Sequence, residues 1–236
     1  MGNTYFRFKQ FTIHHDQCAM KVGTDGVLLG AWANVSDQDH VLDIGTGTGI
    51  IAIMLAQRTK AIVDAIEIDK NAFEQAKKNI FATPWTQQIN VQHISLQDYT
   101  SNTSIKYTHI ISNPPFFDCS LHPDDNTRSM ARHTNSLPHE ELLQCSKQLL
   151  TENGKISLIL PYTEACILIA QAIIYGLFCT RKTMVRTSPE NPIKRILFEL
   201  SPQYISCQND ELSIRKTPNQ FSEKYKELTK DYYLKF

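Results

Sequence analysis

What this 236-residue sequence lacks narrows its possibilities before any motif is read. It has no net charge, with 24 Lys and Arg against 24 Asp and Glu, so any basic face must be sought in the distribution rather than the total. No stretch approaches the roughly 20 apolar residues that cross a bilayer. The longest candidate, Ala165 to Leu177, is too short and reads as a core helix. Met1 to Phe11 carries Arg7 and Lys9 but no apolar run followed by small residues, which argues against a secretory signal. The six cysteines form no CxxC pair and the eight histidines no HxH or HxxxH spacing. Reduced thiols, no metal and a cytoplasmic location are therefore expected.

What is present is an alternation of strand-length apolar runs with helix-length amphipathic segments. His40–Gly45, Ala61–Ile68, Ile89–Ile94, Tyr107–Ser112 and Lys155–Pro161 read as strands. Thr48–Arg58, Lys70–Phe81, His139–Leu150 and Glu164–Tyr175 read as the helices between them. This pattern predicts an α/β fold with a mostly parallel sheet and helices on both faces. Phe178–Arg186 and Arg195–Ser201 break the alternation as consecutive strands. They suggest an antiparallel C-terminal hairpin that closes the sheet edge and brings the count to seven strands. Glu211–Arg215 is a candidate short strand, and Ser222 caps a terminal helix running to Lys230. The reading is of a single domain, with residues 1–38 as an extension packed on a core spanning 39–236.

Asp43-Ile44-Gly45-Thr46-Gly47-Thr48-Gly49 falls where the first core strand passes into a helix. Glycines there allow a sharp turn and close approach of a ligand to the backbone. In dinucleotide enzymes such a turn receives a pyrophosphate. The acid just before the first glycine would repel phosphate but suits a cationic amino-acid moiety, which favours S-adenosylmethionine over a nicotinamide dinucleotide. Glu67, ending the next strand, is placed to accept hydrogen bonds from ribose hydroxyls, and would do so for either cofactor.

Asn113-Pro114-Pro115-Phe116 follows the fourth strand. Consecutive prolines fix φ, remove two donors and hold the preceding residue extended. The Asn113 side-chain oxygen and the Pro114 carbonyl can each accept a hydrogen bond from one NH2 group, and Phe116 offers a flat face for a base withdrawn from its stack. A rigid turn would explain the prolines alone; together with the glycine turn they point to methyl transfer to an amino nitrogen.

This pair of motifs resembles the Rossmann-type amino-N-methyltransferases with an [D/N/S]-P-P-[Y/F/W] signature, which act on adenine N6, cytosine N4, guanine N2 or glutamine N5. Phe6 to Phe11, the block Lys21-Val22-Gly23-Thr24-Asp25-Gly26-Val27-Leu28-Leu29-Gly30-Ala31-Trp32, and Tyr225 to Leu234 are similar to one branch, the bacterial tRNA(Val) adenine-37 N6-methyltransferases. The resemblance covers nearly the whole chain. It implies a class I methyltransferase fold, S-adenosylmethionine as cofactor, and tRNA near the anticodon as partner. It implies catalysis at Asn113, Pro114, Pro115 and Phe116, and cofactor contacts at Lys21, Thr24, Asp43, Gly45, Gly47, Glu67, Ser95, Leu96 and Asn113. Thr24 and Asp25 would close over the methionine end. Many relatives carry an Asp after the third strand for the cofactor's adenine amino group. Here Ser95-Leu96-Gln97 stands there, so Ser95, a backbone group or Asp98 must serve.

Arg181, Lys182, Arg186, Lys194 and Arg195 form a basic cluster that suits phosphates if it lies beside the site. The loop Asp118–Ser136, with Arg128, Arg132 and His133, reads as a cover over the base pocket. Rival readings are glutamine N5 methylation of a release factor or ribosomal protein, methylation of guanine N2 in rRNA or adenine in DNA, and an inert cofactor-binding scaffold.

Overall fold

The computed structural model describes residues 3–18, 20–115 and 137–235. Its centre is a sheet whose middle strands are apolar runs of the kind that burial on both faces requires, with more polar strands toward its edges. Seven of its strands are β3 (His40–Ile44), β4 (Ile62–Glu67), β5 (Ile89–His93), β6 (Tyr107–Ser112), β7 (Leu150–Pro161), β8 (Phe178–Arg186) and β9 (Arg195–Ser201). An eighth strand, β10 (Gln208–Ser213), completes it, in the order β10-β8-β9-β7-β6-β3-β4-β5. Strands β5, β4, β3, β6 and β7 are parallel. β9 runs antiparallel between β7 and β8, and β10 pairs parallel with β8.

Two expectations are corrected here. The sheet has eight strands rather than seven, and the hairpin β8–β9 does not form its edge. β9 turns inward against β7, and β10 takes the edge. The short strand expected at Glu211–Arg215 overlaps only its last three residues, because the first four of the six β10 residues are exposed and lack the apolar alternation that marks a strand.

Alternate residues of each central strand feed opposite cores. Val41, Ile111 and Ile159 pack with α1 (Thr24–Trp32), α2 (Ile50–Arg58) and α3 (Lys70–Phe81). Leu42, Ile110 and Leu160 pack with α4 (Leu96–Asn102), α5 (His139–Leu149) and α6 (Tyr162–Ala172). α3 shows how sequence makes such a helix. Asp69 caps it by accepting from the Ala72 amide (2.8 Å), and Ala72, Gln75, Ala76, Asn79 and Ile80 form its buried stripe.

The N-terminal segment joins the first of these cores. A small hairpin, β1 (Tyr5–Arg7) with β2 (Thr12–His14), brings Phe8, Phe11 and Ile13 into it. Tyr225 of α7 (Glu223–Thr229) and Tyr232 meet them there. As the sequence predicts, Ser222 caps α7, accepting from the Tyr225 amide at 3.1 Å. β11 (Arg215–Thr217) and β12 (Gln220–Phe221) form a minor hairpin before it. Among the described residues no helix is long and apolar enough to cross a membrane.

His109 is fully buried in β6, with Nε2 and the Ser157 hydroxyl 2.8 Å apart. Burial above all, aided by the cations Lys155, Arg181 and Arg58 against Asp39, pushes its pKa down to about 3. An unfolded chain takes up this proton near 6.5 and the folded one does not, so the stability is complete above pH 6.5 and lost as pH falls toward 3. The unfolding free energy measured by urea titration should fall between about pH 7 and pH 5, by up to ~1.4 kcal/mol per pH unit from this group. His109→Asn should remove that part of the slope.

Candidate active site

β3 ends at Ile44 and β6 at Ser112, which stand opposite one another in the register. The Ser112 hydroxyl donates to the Ile44 carbonyl at 2.8 Å. The next residues are Gly45 and Asn113, so the glycine turn and the Asn-Pro-Pro segment leave the sheet side by side. β3 is flanked by β4 on one side and β6 on the other, which makes this the switch point of the sheet, where open α/β folds bind ligands.

The end of β4 shapes the turn. The Gly45 and Thr46 amides donate to the Ile66 carbonyl (2.9 and 3.1 Å), and the Gly47 amide donates to Glu67 Oε2 (2.8 Å). Gly45 and Gly47 have φ of 69° and 56°, a region that costs other residues roughly 1–2 kcal/mol. A Cβ at Gly45 would meet nothing within 4 Å, and one at Gly47 only the Gly45 carbonyl at 4.0 Å. The space over both is open to a ligand.

Asp43 lies beneath this turn, fully buried. Its Oδ2 accepts from the Thr46 hydroxyl at 2.6 Å, while Oδ1 has no hydrogen-bond partner among the described residues. Burial, reinforced by the nearby Glu67 carboxylate, raises its pKa to about 7 against the Thr46 hydroxyl and the Ala52 amide. A buried carboxyl with one unanswered oxygen fits a cationic ammonium, the group at the methionine end of S-adenosylmethionine.

Glu67 is already at work in the turn. Besides the Gly47 amide on Oε2, its Oε1 accepts from the Asp69 amide at 2.9 Å. Each oxygen retains a lone pair for a ribose hydroxyl. Ser95 caps α4, accepting from the Asp98 amide (3.0 Å) while its hydroxyl donates to Asp98 Oδ2 (2.7 Å). The Asp98 side chain is thus exposed and turned back on Ser95, and Leu96 is buried in the core. Ile68, directly after Glu67, is 58% exposed, an apolar side chain at the rim that the motif reading passed over.

Lys21 and Thr24 reach the same edge through helix packing. A Cβ at Gly26 would touch Ile50 (3.4 Å) and one at Gly30 would collide with Met54 (2.9 Å), so α1 and α2 run side by side in the same direction. Their N-termini, and the exposed Lys21 and Thr24, therefore lie together beside the glycine turn. Asp25 does not face inward alone; it pairs with Arg195 at 2.9 Å.

Asn113 is half-buried, and its Oδ1 is buried with no hydrogen-bond partner among the described residues. Pro114 is buried and Pro115 exposed. Phe116 and the whole of Asp118–Ser136 lie outside the described residues.

The basic cluster is largely committed elsewhere. Arg181 stacks on the Trp32 ring (3.6 Å to its centroid) and pairs with Glu199 at 3.4 Å, and Arg186 pairs with Glu211 at 2.8 Å. With Arg195 held by Asp25, Lys182 and Lys194 remain, half-buried and exposed respectively. Motif reading also missed Asn79. Its side-chain amide donates to the Thr48 and His14 carbonyls (2.9 Å each) and accepts from the His14 amide (3.0 Å), joining glycine turn, α3 and N-terminal hairpin. The signal was available: two amides, Gln75 and Asn79, four apart on the buried stripe of a helix.

Because the buried Asp43 holds its proton up to about pH 7, meeting a cation requires that proton to leave. Affinity for S-adenosylmethionine should be highest above pH 7 and fall below it by up to about tenfold per pH unit. Calorimetry across that range, in buffers of different ionisation enthalpy, should detect proton release at the acid end. Asp43→Asn should show weaker and pH-independent binding.

A family model, the methyltransferase small domain, matches residues 22–166, a stretch that includes the glycine turn and Asn113. The chain is 45% identical to the tRNA1(Val) (adenine(37)-N6)-methyltransferase of Trichodesmium erythraeum, with 100% of both proteins covered. It is 46% identical to the protein of the same name from Parabacteroides distasonis, again with 100% of both covered. Protein Atu636 of Agrobacterium tumefaciens, described as a predicted O-methyltransferase, superposes with a TM-score of 0.66 over 88% of this chain and 96% of its own. At 18% identity that likeness speaks for the fold alone. On the full-length identity to its relatives, the chain belongs to the tRNA1(Val) (adenine(37)-N6)-methyltransferase family.

Proposed function

We propose that this protein methylates N6 of adenine 37 in tRNA1(Val), the substrate its relatives' names carry, with S-adenosylmethionine as donor. The observation that carries the reading is the pairing of Ile44 with Ser112. It sets the glycine turn, with Asp43 beneath it, beside Asn113, and among the described residues the buried Oδ1 atoms of Asp43 and Asn113 have no partner.

The residues fit the cofactor. Asp43 answers its ammonium, Gly45 and Gly47 leave room for close approach, Glu67 offers remaining lone pairs to the ribose, and Ile68 offers an apolar surface to the adenine. Lys21 and Thr24 stand at the methionine end. S-adenosylmethionine supplies an electrophilic methyl group on a sulfonium, so the protein's task is alignment rather than strong base catalysis.

Asn113 Oδ1 and the Pro114 carbonyl are the acceptors for the two hydrogens of the target NH2. Bonds to both draw the nitrogen lone pair out of the purine ring and fix its direction. The prolines hold these acceptors in place without conformational entropy to lose. As the nitrogen becomes cationic the same two oxygens stabilise it, and its extra proton passes to solvent. The exposed Lys194, at the start of β9, is the member of the basic cluster best placed to meet phosphate.

Incubation with labelled S-adenosylmethionine and tRNA, total protein or DNA, followed by digestion to nucleosides, tests the substrate. The expected product is N6-methyladenosine from tRNA; label in protein as N5-methylglutamine would sink the proposal. Asn113→Ala should lower kcat by roughly 10²–10³-fold. Cofactor affinity, measured separately, should stay near that of the unaltered protein.

A further inference from the structure

Two thiols that the methyl transfer does not use lie against each other on the far flank of the sheet. Cys179 is the second residue of β8, and Cys207 directly precedes β10, the strand that pairs with β8. Their sulfurs are 3.6 Å apart, and both residues are half-buried rather than sealed in the core. β8 slips by a residue against β9 between Cys179 and Arg181, and the Thr180 hydroxyl bonds to Glu199 at this bulge. Bulges re-aim side chains, and here the strand bends where Cys179 meets Cys207. Cys179 stands in register with Leu200, and Leu200 with Ile156. The pair therefore lies below the carboxyl edge and is separated from Asn113 by β7 and β9.

We infer that Cys179 and Cys207 form a reversible dithiol–disulfide site that reacts with small-molecule disulfides and fastens the edge strand β10 to β8. Closing the bond needs the two sulfurs, already in van der Waals contact, to approach by rotation about their own side chains. In the exchange, the Cys207 thiolate attacks a small disulfide and expels one thiolate, leaving a mixed disulfide on Cys207. The Cys179 thiol gives up its proton to solvent and attacks the Cys207 sulfur, expelling the second thiolate. Two protein thiols and one small disulfide thus become one protein disulfide and two small thiols. Cys207 makes the first attack because it borders the exposed start of β10. Burial, and the neighbouring Cys207, push the Cys179 thiol up to about 12, which disfavours it as the first attacker. In the second step the small thiolate fraction is offset by the closeness of the Cys207 sulfur.

The edge strand gives the bond its consequence. Within the sheet β10 pairs with β8 on one side, and its first four residues are exposed. Its later residues are secured by buried Leu212 and by Lys224 of α7, which donates to the Glu211 carbonyl at 2.7 Å. A covalent tie at its start restrains that strand without touching the site of methyl transfer.

The test is to equilibrate the purified full chain with glutathione disulfide, then map its peptides and measure unfolding. The exposed Cys166 serves as an internal control for mixed disulfide formation. The expected result is a Cys179–Cys207 linkage that forms ahead of any other protein disulfide and is reversed by dithiothreitol. It should raise Tm by about 5 °C and leave methyl transfer unchanged. Cys207→Ser, with the Tm of the reduced protein, should show neither linkage nor shift. Glutathione persisting on Cys207, or both thiols surviving conditions that modify Cys166, would overturn the inference.

Discussion

Ile44 and Ser112 face each other on adjacent parallel strands, and the Ser112 hydroxyl closes that rung by donating to the Ile44 carbonyl. The chemistry begins one residue beyond, at Gly45 and Asn113. The rung is enforced from below. Ile110 serves one core and Ile111 the other, just as Leu42 and Val41 do on β3. A slip of a single residue would turn every one of these side chains to the wrong face. Hydrophobic packing therefore sets the distance between the two functional loops, and neither loop has to encode it.

The two edges of the sheet treat polar groups differently. Near the amino edge, Asp64 is answered on both oxygens, by Asn90 at 3.0 Å and by Tyr107 and His40 at 2.7 and 2.9 Å. At the carboxyl edge Asp43 and Asn113 each keep a buried oxygen unanswered. Unpartnered polar atoms occur elsewhere, His109 Nδ1 among them. What distinguishes Asp43 and Asn113 is their place at the carboxyl ends of neighbouring central strands, next to the glycine turn, over which the space is open. A folded chain tolerates an unmet buried polar atom at a cost of about 1–3 kcal/mol, and here a ligand can remove that cost.

Central strands were legible in the sequence because burial on both faces demands continuous apolar runs, and the two motifs because glycine and proline restrict the backbone so strongly. The mutual position of the motifs was not legible, since register arises from packing between strands far apart in sequence. Polar elements were hidden for a related reason. β10 carries Leu212 as its one large apolar residue, and α4 presents only Leu96 and Tyr99 to the core. Ser95 and Asp98, read from position as candidate adenine contacts, are engaged with each other as a helix cap. The cluster Arg181 to Arg195 shows the limit of counting charges. Three of its five cations are bound to partners that sequence could not reveal, namely Trp32 with Glu199, Glu211 and Asp25.

The N-terminal hairpin closes against the far end of the chain. The Lys9 amide donates to the Tyr232 carbonyl at 2.8 Å, and Phe8 stacks with Tyr233, their rings 6.0 Å apart. That hairpin leads straight into the segment that carries Lys21 and Thr24 to the site. On its other side the hairpin is held by α3, where Asn79 bonds both the amide and the carbonyl of His14, and by the turn after that helix, where Phe11 meets Trp85. The segment bearing Lys21 and Thr24 is thus preceded by a clasp gripped from two sides, so loosening Tyr232 or Tyr233 would release one side of it and leave the grip of α3 in place.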